Sequence, residues 1–399
     1  MKRLITVMLI DGIAGTFLAL PVAAQVDQPA SVTYWDPAGH QNIFNFAVKS
    51  NSPNHLCVNY WDGAGWHWAD QGLPSGIAAL PFQRPAAVTY SDQNGRQVIF
   101  AFVVGPNGHL YVNYWDGFRW NWADQGLPPK IAGVIAPSAI TYQDSAGNRL
   151  IHVFVLTNDG RLCVNYWNGS AWNWADLGFP RSSVLSHAIA INLAAATYPD
   201  SAGLQHIYVF TSTKDGALYV DHWNGFNWSW SAQGLPPGER YVWAPAPVAF
   251  QDSHGNQVVY CFVSGYYSSH LYVNYFDGYS WKWADQGIAP DGSAMGASSA
   301  ITVQRSFWVL DQNIFVFVAT GSQHLAVNYW DGSNWHWADQ GVLPVMNSAP
   351  SAISYWVAVN DGLRLGGYPA IYAFVPASGN LYVNYWDSVR WNWANLGGV

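Results

Sequence analysis

Apolar and polar residues alternate in short runs along most of the chain, and Asp-Gly or Asn-Gly pairs interrupt the runs at regular intervals. In the stretch from His109 to Trp115, Leu110, Val112 and Tyr114 fall on one side of a period of two, while Tyr111, Asn113 and Trp115 fall on the other. Both sides are largely apolar or aromatic, so the pattern predicts a strand covered on both faces. The three-and-four spacing of amphipathic helices does not appear, which makes the expected class all-β. Turn residues divide this part of the chain into four strands, Ala87 to Tyr90, Val98 to Val104, His109 to Trp115 and Trp120 to Asp124. The turns between them run from Asp92 to Gly95, from Pro106 to Gly108 and through Asp116 and Gly117, the punctuation of tight hairpins.

The same unit returns seven times. Its most constant stretch, His109 to Pro128, has counterparts beginning at His55, Arg161, Ala217, His270, His324 and Asn380. The central valines, Val58, Val112, Val164, Val220, Val273, Val327 and Val383, lie 54, 52, 56, 53, 54 and 56 residues apart. A period of that length marks stacked or circular units that bury their faces only against one another. Four antiparallel strands, three hairpins and a longer Pro- and Gly-rich link such as Leu127 to Ala136 describe a propeller blade, so the chain is expected to form a seven-bladed β-propeller. The repeats are placed at about 30–74, 86–128, 138–180, 193–236, 246–290, 299–344 and 351–399, within one domain at 30–399.

Two departures stand out. Ser388 replaces the glycine of the third turn in the last repeat and should loosen that hairpin. The first turn, Asp36 to Gly39 in repeat one, is missing from repeats six and seven. There the irregular segments Arg305 to Asp311 and Tyr355 to Gly367 are expected to break the first strand.

Composition sharpens this picture. With 50% hydrophobic and only 10% charged residues the chain must be packed rather than disordered, and 24 Trp with 23 Tyr supply large surfaces that suit both inter-sheet packing and ring-shaped ligands. A net charge of −8 without a basic run gives no footprint for nucleic acid or an anionic membrane. Lys2 and Arg3, an apolar stretch from Leu4 to Leu20 interrupted by Asp11, and Val22 to Ala24 before Gln25 have the form of a secretory signal peptide cut after Ala24. An N-terminal membrane anchor is the alternative. Cys57 and Cys163 share one position of repeats one and three, two units apart in a ring, so the three cysteines are expected to remain buried free thiols. No clustered ligands point to a metal or another cofactor.

The strings from Val112 to Gly117 and from Trp120 to Gly126, with their counterparts in the other repeats, resemble the seven-bladed β-propeller lectins of the Photorhabdus type, fucose-binding bacterial lectins. The resemblance covers about residues 30–399. It implies a secreted, multivalent sugar-binding protein with pockets between blades, a preference for L-fucose and O-methylated sugars, and self-association into homo-oligomers.

Hairpin connectivity puts the second turn and the link at one end of the ring, and the first and third turns at the other. At the former end His, Trp, Asp and Gln of one repeat come together, an aromatic face for the apolar patch of a sugar and polar groups for its hydroxyls. Four repeats keep this set: His55, Trp68, Asp70 and Gln71; His109, Trp122, Asp124 and Gln125; His270, Trp283, Asp285 and Gln286; His324, Trp337, Asp339 and Gln340. Arg161, Leu177, Ala217, Ala232, Asn380 and Leu396 depart from it in repeats three, four and seven. Each residue also has a structural alternative: Trp120 and Trp122 as packing between blades, Asp124 as a turn cap, the Asn113-type residue as part of a buried ladder. The opposite end, with Tyr90, Asp92, Trp115 and Asp116, is the second choice.

Catalysis fits less well. A glycoside hydrolase needs two carboxylates in unlike environments, yet Glu239 is the one glutamate and nearly every aspartate belongs to a repeated turn. A secreted protein-interaction scaffold is the other alternative, with the two irregular segments as its surface.

Overall fold

The computed structural model describes residues 29–398 apart from residues 37, 49–52, 82, 93, 181–188, 253–255, 294, 307–308, 345, 347 and 361–364. The leader expected at residues 1–24 lies outside the described residues. Blade one consists of β1 to β4 (Ala30–Trp35, Gln41–Val48, Leu56–Trp61, Trp66–Gly72) and blade two of β5 to β8 (Ala86–Ser91, Gln97–Val104, Leu110–Trp115, Trp120–Gly126). Blade three has β9 to β12 (Val134–Gln143, Arg149–Thr157, Leu162–Trp167, Trp172–Gly178) and blade four β13 to β16 (Ala190–Pro199, Gln205–Thr213, Leu218–Trp223, Trp228–Gly234). Blade five has β17 to β20 (Ala246–Gln251, Gln257–Ser264, Leu271–Phe276, Trp281–Asp285) and blade six β21 to β24 (Met295–Ser306, Val309–Thr320, His324–Trp330, Trp335–Val342). Blade seven closes the set with β25 to β28 (Ser351–Asn360, Leu365–Ala377, Asn380–Trp386, Trp391–Gly398). Every sheet is antiparallel and follows chain order, which is the seven-bladed propeller expected from the repeat.

The first strands touch one another in sequence around the axis, and β1 meets β25, so the ring closes by packing whole blades together without exchanging a strand. Seven hydrophobic clusters form the core, each straddling two consecutive blades. At their centres lie Phe46, Phe102, Phe154, Phe210, Phe262, Phe317 and Phe374, all fully buried on the second strands. Against each, the first Trp of the next outer strand packs edge-on: Trp120 lies 5.8 Å from Phe46, and Trp66 lies 5.7 Å from Phe374 across the closing seam. Cys57, Cys163 and Cys261 are buried in this core and form no disulfide.

The irregular segments do not break the first strands of blades six and seven. They lengthen the first hairpin, so that pairing runs out to Ser306 with Val309 and to Asn360 with Leu365. The physical reason is local: where the other repeats place Asp-x-x-Gly, blade six has the β-branched Val309 and blade seven has Tyr355, Trp356, Val357 and Val359, residue types that keep a ladder running. Ser388 does occupy the left-handed region, with φ of 77°, where the other third turns use glycine.

Candidate carbohydrate-binding site

The motif Trp-x-Trp-Ala-Asp-Gln-Gly has a backbone explanation. In blade two, Leu110 pairs with Gly126 but Tyr111 pairs with Asp124, so Gln125 is an extra residue, a bulge at the end of β8. Gly126 takes the positive φ that the bulge requires, and Asp124 Oδ1 accepts the Gly126 N–H at 2.7 Å. The bulge turns the Gln125 carbonyl toward the following blade, where Trp174 Nε1 donates to it at 2.9 Å. The same contact recurs at every seam: Trp122 to Gln71, Trp230 to Leu177, Trp283 to Gln233, Trp337 to Gln286, Trp393 to Gln340, and Trp68 to Leu396 at 2.7 Å where the ring closes. Leucine serves as well as glutamine because the backbone carbonyl makes the bond.

Histidine and aspartate of each complete repeat do come together. His55 Nδ1 lies 2.9 Å from Asp70 Oδ2, and the equivalent separations are 3.0 Å for His109 and Asp124, 2.9 Å for His270 and Asp285, and 2.9 Å for His324 and Asp339. The histidines are about one-third exposed and the aspartates more, between 39% and 60%, so both can be reached from solvent. In blade three Arg161 replaces histidine and pairs with Asp176 while lying over the Phe179 ring. The tryptophans are divided from these pairs. Trp122 spends its indole N–H on the preceding blade, whereas Gln125 serves the following one. A seam therefore combines the His-Asp pair and Gln of one repeat with the Trp of the next: His55, Asp70 and Gln71 with Trp122, and His270, Asp285 and Gln286 with Trp337. By the same rule Trp174 and Trp393 join the sets of repeats two and six. Sequence reasoning passed over them because it grouped residues by repeat.

The opposite end is built around turn caps and stacked rings. Asp92 accepts the N–H groups of Asn94 and Arg96, Asp116 those of Phe118 and Arg119, and these bonds lower both carboxyl pKa values against the opposing effect of burial. Tyr90, Phe100 and Tyr114 stack across three strands with centroids 5.9 and 6.0 Å apart. Between blades three and four this end opens into a cleft of about 420 Å³, lined by Tyr142, Asp144, His152, Tyr166, Trp167, Asn168, Trp223 and Trp228 among others. Glu239 is buried and holds the backbone N–H groups of Tyr267 and Ser268 at 3.1 and 2.9 Å. Burial raises its pKa, but these donors outweigh that and the carboxyl is lowered. No group of three or more His, Cys, Asp or Glu able to hold a metal occurs among the described residues, and no helix of these residues is long and apolar enough to cross a membrane.

Among solved structures, the BP39L lectin from Burkholderia pseudomallei is similar over 94% of this chain and 99% of that one, with a TM-score of 0.67 and 20% identity. AofleA from Arthrobotrys oligospora is similar over 80% of this chain and 88% of its own, with a TM-score of 0.51 and 14% identity. The lectin of Aleuria aurantia, described as a six-bladed propeller with a fucose recognition mode, overlaps less well, with a TM-score of 0.49, 18% identity and coverage of 78% and 95%. At these identities the likeness shows the fold. No family model and no curated protein matches the chain.

Proposed function

We propose that this protein is a secreted, multivalent lectin that holds fucose or related O-methylated sugars at the seams between blades and performs no chemistry on them. The observation that carries the reading is the repeated surface set: a solvent-reachable His-Asp pair beside a Gln and the next blade's Trp, present in four repeats around one ring. Such sites give weak single contacts and gain strength by number, which a ring of like seams supplies. The propeller shared with the Burkholderia lectin supports the reading, as does the motif from Val112 to Gly126. The acidic residues support it in another way. Asp92 and Asp116 cap turns and Glu239 braces a loop, so none of these stands free as one of a pair of catalytic acids.

A glycan array followed by titration with L-fucose, methyl α-L-fucoside and mannose tests the function. The four-fold variant Gln71→Ala, Gln125→Ala, Gln286→Ala and Gln340→Ala tests the site, because it removes side chains while keeping the carbonyls that latch the seams. We expect fucoside affinity to fall at least about tenfold with an unchanged melting temperature. An array that retains no glycan would overturn the lectin reading, and full binding by the variant would move the site elsewhere.

A further inference from the structure

Among the described residues, the four most exposed large apolar side chains all occupy one position of the repeat. Tyr279 is 95% exposed, Val389 79%, Phe118 72% and Phe226 71%, and each follows the Gly or Ser of a third turn. The turn holds them outward. Asp116 Oδ1 accepts the Phe118 N–H at 2.9 Å, and Asn224, Asp277 and Asp387 hold Phe226, Tyr279 and Val389 in the same way at 3.0, 2.9 and 2.9 Å. The fold does not need apolar groups there, because Ala64, Ser170 and Ser333 stand at the same position of blades one, three and six with the same bond. One exposed ring on a protein surface calls for no explanation, but four at a single repeat position do. Third turns join the two outermost strands of each blade, so the four side chains stand on a circle at one end of the ring. Blades two, four, five and seven are nowhere more than two blades apart around that circle, and the axis falls inside the figure they mark out.

We propose that this rim docks on a zwitterionic, choline-bearing lipid surface, with Phe118, Phe226, Tyr279 and Val389 entering the headgroup layer and the ring axis standing upright on the bilayer. Shape argues for a plane. A compact protein partner covers one or two of the four side chains, whereas a flat surface reaches all of them together. Aromatic side chains favour the boundary between headgroups and acyl chains, and each one buried there adds apolar area to the contact. No helix of the described residues is long and apolar enough to cross a membrane, so the contact is a shallow one made by turns. Charge argues for the headgroup. Backbone N–H groups hold the carboxyls of Asp62, Asp116, Asp331 and Asp387 below the usual range, so these turns carry negative charge at neutral pH. Arg96, lying over the Phe118 ring at 5.2 Å, and Lys282, paired with Asp277, offset part of it. The ammonium of phosphatidylcholine is attracted to such a rim, whereas an anionic lipid or the same rim of a second copy would bring like charge against it. The His-Asp pairs lie at the opposite end of the ring, so this proposal stands apart from the lectin reading.

The test uses the whole chain and sugar-free vesicles of dioleoylphosphatidylcholine, with co-sedimentation as the readout. The native chain is expected to sediment with the vesicles. Phe118→Ser, Phe226→Ser, Tyr279→Ser and Val389→Ser combined should lower its partitioning at least about tenfold. Serine stands at this position in blades three and six, so the variant should keep the melting temperature and any glycan binding of the native chain. Ser170→Phe with Ser333→Phe adds two apolar tips and should raise partitioning, a gain that decides the matter even if the serine variant fails to fold. Replacing part of the lipid by dioleoylphosphatidylglycerol should weaken binding. A native chain that stays in the supernatant, variants that all partition as it does, or tighter binding to the anionic vesicles would overturn the proposal. So would dimers of the native chain that leave the vesicles untouched and fall apart in the serine variant, since the rim would then be a contact between copies.

Discussion

The fourth blade shows how much one atom matters in a core built by repetition. In six blades a buried Asn on the third strand donates its amide N–H to a carbonyl of the outer strand, as Asn113 does to Asn121 at 3.4 Å and Asn328 to His336 at 3.3 Å. Blade four has Asp221 there, buried, with both carboxylate oxygens unpartnered. An ionised carboxylate has nothing to donate, and a proton restores the missing donor. Burial accordingly pushes its pKa up from 3.8 to about 7, although the backbone N–H of His222 pulls the other way. The folded chain holds this proton more tightly than the unfolded chain, so the contribution of Asp221 to stability is fully present below about pH 4 and lost as pH rises through about 7. Asp221→Asn should therefore stabilise the protein on the order of 2 kcal/mol at pH 8 and change little at pH 4. Urea melts at the two pH values check this, and an equal gain at both would rule out the titration as its cause.

At the scale of an element, the outer strand does two jobs with one bulge. It ends its own sheet with an Asp-capped glycine and turns a carbonyl out to receive the next blade's indole. The seam between blades three and four allows the second job to be measured alone, because Arg161 and Leu177 replace the His and Gln of the candidate set there. Trp230→Phe keeps a ring in the seam and deletes the N–H that reaches Leu177 at 2.9 Å. It should cost about 1 kcal/mol, read as a lower denaturant midpoint, with sugar binding unaffected. A drop in binding instead would tie that seam to ligand recognition.

For the whole molecule, stability resides between blades rather than within them, since all seven clusters cross a seam. The closing seam is of the same kind as the rest: Ile43, Trp61, Trp66 and Trp68 meet Ile353, Phe374, Leu381 and Val383 with no shared strand to fasten them. A chain ending at Val342 would leave the faces of blades one and six bare. It should lose the single sharp thermal transition expected of the full chain and bind a hydrophobic dye, as calorimetry and fluorescence would show. Retention of a sharp transition at the same temperature would mean that the blades are independent after all.

How much of this was legible beforehand follows from the range of the interactions. The fold was legible because each blade is local: strands, turns and covered faces are written in runs such as Leu110 to Trp115 and in the pairs Asp116 and Gly117, and seven copies leave a ring as the way to cover every face. The pairing of His109 with Asp124 was legible for the same reason, being a contact across one hairpin. The division of Trp122 from Gln125 was not, because it depends on a carbonyl turned outward by a bulge and on a partner blade about fifty residues away, as the 51-residue separation of Trp122 from Gln71 shows. Likewise His152 reads in the sequence as one more ring in an aromatic column. Only the tertiary packing shields its Nδ1 from water and leaves that nitrogen without a hydrogen-bond partner among the described residues.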